Sequence, residues 1–169
     1  MKVAADGKKK FALLTTKPAA RIPTLSELTA GIDISCIVLD SDANWTAATS
    51  DTFAEKPSCV EGNVNALGAS NFTTELTFLR EWLEAGGGAD IAGADEGYQA
   101  VRVKGSTVWI YMRESDKLST EPWEAGDVID LGGEVVSDNP QRSGNEGNIK
   151  RRIIFQPQNM IIEEPVAAA

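Results

Sequence analysis

The residue types that carry much enzyme chemistry are scarce in this sequence. Its 169 residues include no histidine, which excludes Ser-His and Cys-His nucleophile pairs and removes the commonest general base. A pair of carboxylates can hydrolyse glycosides without histidine, and four tryptophans are present as possible sugar platforms. No motif, however, brings two acids to the required separation. We therefore predict that the chain is not an enzyme.

Metal and cofactor motifs are incomplete. Asp40, Asp42 and Asn44 match the first three ligand positions of a calcium loop, but Trp45 stands where the loop needs glycine and Asp51 where it needs glutamate. We interpret this stretch as a turn. The three glycines at positions 86–88 are followed by neither the lysine nor the hydroxyl of a phosphate loop. The sequence therefore predicts no metal and no cofactor.

The charge of the chain is negative and unevenly distributed. The net charge is −9, and residues 75–134 hold 13 acids against 5 bases. An acidic surface repels nucleic acid phosphates, which argues against ordinary DNA or RNA binding. The alternative interpretation is an acidic outer surface that aids solubility.

The sequence favours a cytosolic origin. It has no apolar run near the roughly 18 residues of a membrane span and no apolar block after its first lysines that could act as a signal peptide. In a reducing compartment, Cys36 and Cys59 are expected to be buried small hydrophobic residues rather than a disulfide.

A long strand over residues 71–82 is the clearest element that could position functional side chains. Its apolar residues recur at a spacing of two, which is the period of a strand. This alternation predicts that Phe72, Leu76, Phe78 and Trp82 pack inward, with acidic residues on the opposite face. At about 3.3 Å per residue such a strand would span about 40 Å, more than a small domain needs.

The rest of the chain indicates a mainly β, antiparallel sandwich or barrel with one flanking α-helix and long loops. We predict a loosely held N-terminal arm over residues 1–23, a single β domain over 24–156 and a C-terminal tail over 157–169. The helix predicted over residues 95–104 flanks the sheet, and a capping-box pattern predicts two helical turns after Thr24. Further strands are predicted over residues 32–39, 51–59, 107–112, 128–136, 149–156 and 160–162, with a bulge or bend at Gly132-Gly133.

Several segments, in this order, resemble the major tail protein, or tail tube protein, of long-tailed phages that infect actinobacteria. They are Leu28-Thr29-Ala30-Gly31-Ile32-Asp33-Ile34-Ser35, Glu61-Gly62-Asn63, Gly68-Ala69-Ser70-Asn71-Phe72, Lys117-Leu118-Ser119-Thr120, Trp123-Glu124-Ala125-Gly126-Asp127 and Ser137-Asp138-Asn139-Pro140-Gln141-Arg142. The resemblance implies a β-sandwich protomer that forms six-membered rings, and these rings stack into a hollow tube through which DNA passes. It also implies a location in the virion after assembly in the host cytoplasm, with a tape-measure protein, a terminator and a distal tail protein as partners.

This resemblance gives the charged residues candidate roles. An acidic channel would let DNA slide without binding, and we expect Glu75 and Glu81 to face it. Further candidates for that surface are Asp127, Asp130 and Glu134. Basic residues are expected to contact acids of the next subunit or ring; they are Lys8, Lys9, Lys10, Lys150, Arg151 and Arg152.

Two other functions remain open from the sequence. One is a different phage component, such as a connector ring or a decoration protein. The other is a carbohydrate-binding β-sandwich that uses Trp45, Trp109 or Trp123.

Overall fold

The computed structural model describes residues 1–84 and 86–168. Antiparallel strands dominate this part of the chain, and two short α-helices and one turn of 3-10 helix at Asp40–Asp42 accompany them. The strands are β1 (Lys9–Leu14), β2 (Ile32–Asp33), β3 (Asn44–Ala48), β4 (Thr52–Ala54), β5 (Asn65–Leu67), β6 (Asn71–Leu79), β7 (Thr107–Glu114), β8 (Val128–Ser137), β9 (Gln141–Arg142) and β10 (Lys150–Pro165). The helices are α1 (Leu25–Ala30) and α2 (Glu96–Val101).

The strand β10 joins two antiparallel sheets. Its first residues, 150–154, pair with β6, and residues 155–165 pair with β8. The first sheet therefore has the order β2-β1-β7-β8-β10, and the second has the order β9-β10-β6-β3. A shift of register between Pro157 and Asn159 lies within the part of β10 that pairs with β8. This architecture fits a sandwich and confirms the predicted mainly β, antiparallel fold.

The main hydrophobic core lies between the two sheets. Trp45 of the second sheet donates its indole N–H to the Leu131 carbonyl of the first sheet at 3.1 Å, and its ring packs edge-on against Phe155. A second cluster covers the other face of the first sheet, where Leu28 of α1 and Trp123 pack against Tyr111. The first sheet is therefore buried on both faces, which explains the nearly continuous apolar run in β1.

The prediction of a loosely held arm is wrong for Lys9–Leu14. This segment is β1, which lies between β2 and β7, and Phe11 to Leu14 are all buried. The predicted C-terminal tail likewise does not begin at residue 157, because β10 continues without a break to Pro165. The last residue of that tail, Ala169, lies outside the described residues.

Both predicted helices are present, but one of them is shorter than predicted. Thr24 accepts a hydrogen bond from the Glu27 N–H and the Glu27 carboxylate accepts one from Thr24, so α1 begins with the predicted capping box. The helix α2 follows Asp95 as predicted but ends at Val101, before the predicted end at residue 104. The Asp95 side chain does not cap this helix.

Several predicted strand limits are wrong. Only Ile32–Asp33 of the segment 32–39 is a strand, because the chain then turns and buries Ile34, Ile37 and Val38 at irregular spacing. The long strand β6 ends at Leu79, and Trp82 is 44% exposed rather than packed inward. The segments 149–156 and 160–162 are parts of the one strand β10.

The glycine pair in β8 has a different effect from the one predicted. β8 stays in register with β7 through Gly132 and Gly133, and the irregularity lies on the neighbouring strand β10.

Both cysteines are free and exposed, so the prediction of burial is wrong for them. Within residues 1–84 and 86–168, no helix has the length and apolar character needed to span a membrane.

Candidate assembly surfaces

Glu75 and Arg152 form an ion pair on the outer face of the second sheet. They come from neighbouring strands, β6 and β10, and the Arg152 guanidinium donates to the Glu75 carboxylate. Their side chains are 21% and 42% exposed. The pair borders a polar hollow that Asp42, Asn44 and Ser143 also line. One predicted channel acid and one predicted intersubunit base therefore neutralise each other within a single chain.

Glu81 lies in the exposed segment after β6, above a buried ion pair. Arg80 donates to both carboxylate oxygens of Asp95, at 2.7 and 2.9 Å, and its guanidinium lies 4.0 Å from the centre of the Tyr98 ring. Burial opposes ionisation of Asp95, but hydrogen bonds from Arg80, Gln99 and the Glu81 N–H outweigh it and lower the pKa of this carboxyl. The ion pair fixes the backbone at Glu81, whose own side chain is exposed.

Asp127 is buried, and its carboxylate is occupied by partners from its own chain. Arg113 donates to it at 2.7 Å and Lys117 at 2.6 Å. Burial opposes the charge, but the hydrogen bonds from Lys117, the Glu124 N–H and Arg113 prevail and lower the pKa of Asp127. Arg113 also donates to the carbonyl oxygens of the loop between β7 and β8. The structure therefore gives Asp127 a role in holding this loop, and we do not retain it as a channel residue.

Asp130 and Glu134 lie on the first sheet, on the side away from Glu75. Glu134 pairs with Trp109 across β7 and β8, and Trp109 packs in the second core cluster, on the far face of that sheet. Asp130 is four residues earlier in the same strand. Glu75 points outward from the other sheet of the sandwich. One subunit cannot turn both acidic faces toward a single channel.

Asp130 belongs to a pair of like charges. The residues on either side of Glu163 in β10 pair with Leu131 and Ile129, the neighbours of Asp130, and the charge of Glu163 acts on Asp130. Burial raises the pKa of Asp130, and the negative charge of Glu163 raises it further. Within the described residues, neither carboxylate has a lysine or arginine nitrogen within 4.0 Å.

The N-terminal lysines are bound within their own subunit. Lys8 donates to the Asp116 carbonyl at 2.6 Å, and Lys9 forms an ion pair of 2.9 Å with Asp40. Lys10 is buried and binds Asp33 and the Ser119 carbonyl. These contacts attach β1 to its neighbours, so the three cations do not form one free basic patch.

Lys150 and Arg151 have a different environment. Arg151 lies directly opposite Arg142 of β9. None of these three cations has a carboxylate oxygen within 4.0 Å in residues 1–84 and 86–168. They line a hollow of about 300 Å³ together with the loop at 144–149. Of the predicted basic contacts, Lys150 and Arg151 are the ones that the structure leaves without an ionic partner in that range.

The tryptophans considered as sugar platforms are mostly in the core. Trp45 and Trp123 are 4% and 6% exposed, and Trp109 is half-buried. Two of the three aromatic rings therefore have no free face on which a sugar could stack. Among the described residues, no group of three or more histidine, cysteine, aspartate or glutamate side chains could hold a metal ion.

A model of the family described as phage tail tube protein matches residues 1–169. The chain belongs to the phage tail tube protein family. Comparison with curated proteins and with solved structures gave no match. The family predicted from the sequence is confirmed, while an actinobacterial host stays a prediction.

Membership of this family indicates the general role of the tail tube protein. It is a structural component of the phage tail, and it assembles with itself and with other tail proteins into a tube. The surfaces that matter are therefore the ones that a single subunit leaves uncovered. Sequence reasoning missed two of them: the edge strand β3, which was not among the predicted strands, and Arg142, which was not among the predicted basic contacts. For β3, the apolar Trp45 between polar Asn44 and Thr46 was the available signal.

Proposed function

We propose that this tail tube protein forms six-membered rings that stack into a hollow tube, through which phage DNA reaches the host. It is not an enzyme and carries no cofactor. The tape-measure protein would occupy the tube during assembly, and a terminator and a distal tail protein would close its two ends. The observation that carries the proposal is the family match along the entire chain.

The sheet edges support self-assembly. The strand β3 lies at the edge of the second sheet and, within residues 1–84 and 86–168, pairs with β6 alone over Asn44–Ala48. Its residues other than Trp45 are exposed. An open edge offers unpaired backbone N–H and C=O groups to another chain, and soluble proteins usually protect such edges. Pairing of this edge with a neighbouring subunit would cover it and close a ring.

We assign the outer face of the second sheet to the channel. It presents neutral polar groups, such as Thr46 and Thr73, beside the self-neutralised pair of Glu75 and Arg152. Such a surface offers few free cations to DNA phosphates, and exposed Glu81 adds negative charge nearby. Asp130 and Glu134, on the other side of the sandwich, are not part of this face.

Negative-stain electron microscopy and a sizing column test the proposal on the purified chain. Rings or tubes with six-fold symmetry are the expected result. A strict monomer at high concentration, with no polymer when the other tail components are supplied, would overturn it. Rings that never stack would favour a connector or decoration protein instead.

The channel assignment has a test of its own. Glu75→Lys with Glu81→Lys should leave tubes intact but impair DNA ejection, because added cations in the channel would hold phosphates. The control is Glu75→Lys with Arg152→Glu, which exchanges the two charges and keeps the ion pair. Normal infectivity of phages that carry the first variant would contradict the assignment.

A further inference from the structure

Two like-charge pairs lie near opposite ends of β10, and each destabilises its own subunit. Arg151 lies opposite Arg142 at the start of this strand, and Glu163 lies near enough to Asp130, close to its end, for the two negative charges to interact. Like charges directly opposite each other on neighbouring strands are unfavourable. Glu163 lies twelve positions after Arg151 in the sequence, which is about 40 Å at most along an extended strand.

Neither pair is neutralised within the part of the chain that the structure describes. Lys150 adds a third cation at the basic end. Glu146, in the adjacent loop, is exposed, but its carboxylate is more than 4.0 Å from these nitrogens. At the other end, Glu164 follows Glu163 and adds a further acid. The two ends therefore carry opposite and unsatisfied charge.

We propose that the hollow lined by Arg142, Lys150 and Arg151 receives the Asp130 and Glu163 carboxylates of a second copy of this chain. Two guanidinium groups would then face two carboxylates, a match that permits bidentate hydrogen bonds. The contact joins different surfaces of the two copies and is therefore head-to-tail. A head-to-tail contact repeats from subunit to subunit, as a ring or a stack requires. The inference rests on the proposed function, because it names a contact within the tube.

A second copy fits this basic hollow better than DNA does. Three cations are few for a phosphate-binding surface, and the chain as a whole carries a net charge of −9. Each subunit, in contrast, carries one acidic pair and one basic pair, so the two can match one to one between copies. Contact between copies would relieve the like-charge repulsion at both ends, whereas DNA binding would relieve it at one end only.

Charge reversal on the full-length chain tests this contact. The basic end is reversed by Arg142→Glu with Arg151→Glu, and the acidic end by Asp130→Lys with Glu163→Lys. Each variant alone should lose tube formation at least tenfold, measured as pelleted polymer and counted in micrographs. Mixed in equal amounts, the two variants should form tubes again, because every basic end then meets an acidic end of the other chain.

Matched controls change the same net charge elsewhere. They are Lys2→Glu with Arg102→Glu and Glu61→Lys with Glu84→Lys, all at exposed positions. These controls should assemble as the unchanged chain does, and circular dichroism verifies that every variant is folded.

The outcomes separate this contact from the proposed function. Normal tubes from either reversed variant, or no recovery in the mixture of folded variants, would overturn the contact while the tube function stands. A basic-end variant that assembles normally but loses binding to a double-stranded DNA fragment would also overturn it and assign the hollow to DNA. If the unchanged chain forms neither rings nor tubes, the proposed function itself fails.

Discussion

Replacing Asp127 with asparagine should destabilise the subunit strongly, because it leaves Arg113 buried without its counter-ion. The two side chains are only 1% and 6% exposed, and the N–O distance between them is 2.7 Å. Removing one partner of a buried ion pair costs about 3–5 kcal/mol. For a chain of this size, about 2–4 °C of melting temperature is lost per kcal/mol, which gives a decrease of about 6–20 °C.

The assay is urea and thermal unfolding followed by circular dichroism, at a protein concentration where the chain is monomeric. This condition matters because assembly stabilises the folded state and would mask the loss. The control is Asp116→Asn, which removes a carboxylate that is exposed and should change stability by less than about 0.5 kcal/mol. A loss below about 1 kcal/mol for Asp127→Asn would refute the inference that this carboxylate holds the loop.

Acid provides a second readout of the same carboxylate. The pKa of Asp127 is lower in the folded chain than its ordinary value of 3.8. Its contribution to stability is therefore present above about pH 4 and is lost as the pH falls through the folded pKa. As the pH falls below about 5, the free energy of unfolding of the unchanged chain should decrease more steeply than that of Asp127→Asn. Parallel decreases for the two proteins would contradict the role of Asp127.

The remaining predictions concern the same unfolding assay. Gly133→Ala should lower the free energy of unfolding by about 3 kcal/mol or more. Gly133 has a φ of 149°, and a Cβ there would overlap the Asn159 carbonyl oxygen. A loss under about 1 kcal/mol would contradict the close approach of β8 and β10. Asp130→Asn should stabilise the monomer by up to about 1 kcal/mol, since it removes one of two opposed carboxylates, and a clear loss of stability would argue against the repulsion. Thr24→Ala should cost about 1 kcal/mol through the lost cap of α1, and an unchanged urea midpoint would show that the capping box contributes nothing.

Elements with strong local signals were predictable from the sequence. The capping box at Thr24 identified α1, because the side chains that begin this helix lie within four residues of each other. The strand β7 was predicted because β-branched and aromatic residues dominate residues 107–112, and β8 was predicted because pairs of β-branched residues begin and end residues 128–136. In these segments the local preference and the packing of the fold agree.

Prediction from the sequence failed for segments whose packing partners are distant in the chain. The apolar segment at 32–39 has the composition of a strand, but it crosses the end of the sandwich and inserts Ile34, Ile37 and Val38 into the core without regular alternation. The strand β10 looked interrupted, because Pro157 and polar residues follow closely on the point between Ile154 and Phe155 where the chain passes from one sheet to the other. Such a change of sheet leaves no periodic signal.

The charged residues were predictable as a set but not in their pairing. Alternation placed Glu75 correctly on the outer face of β6. It could not show that Arg152, 77 residues later, lies beside Glu75. Likewise, nothing local distinguishes buried Asp127 from half-exposed Asp130, since their environments depend on Arg113 in one case and Glu163 in the other. Electrostatic roles in this protein are set by contacts between strands.

Cryo-electron microscopy of the assembled tube tests the central claim most directly. The account predicts six copies of this sandwich in each ring, with the outer face of the second sheet lining the channel. It also predicts that Arg142 and Arg151 of one copy lie within hydrogen-bonding distance of Asp130 and Glu163 of another. A different number of subunits per ring, or a chain that stays monomeric with all tail components present, would contradict the account.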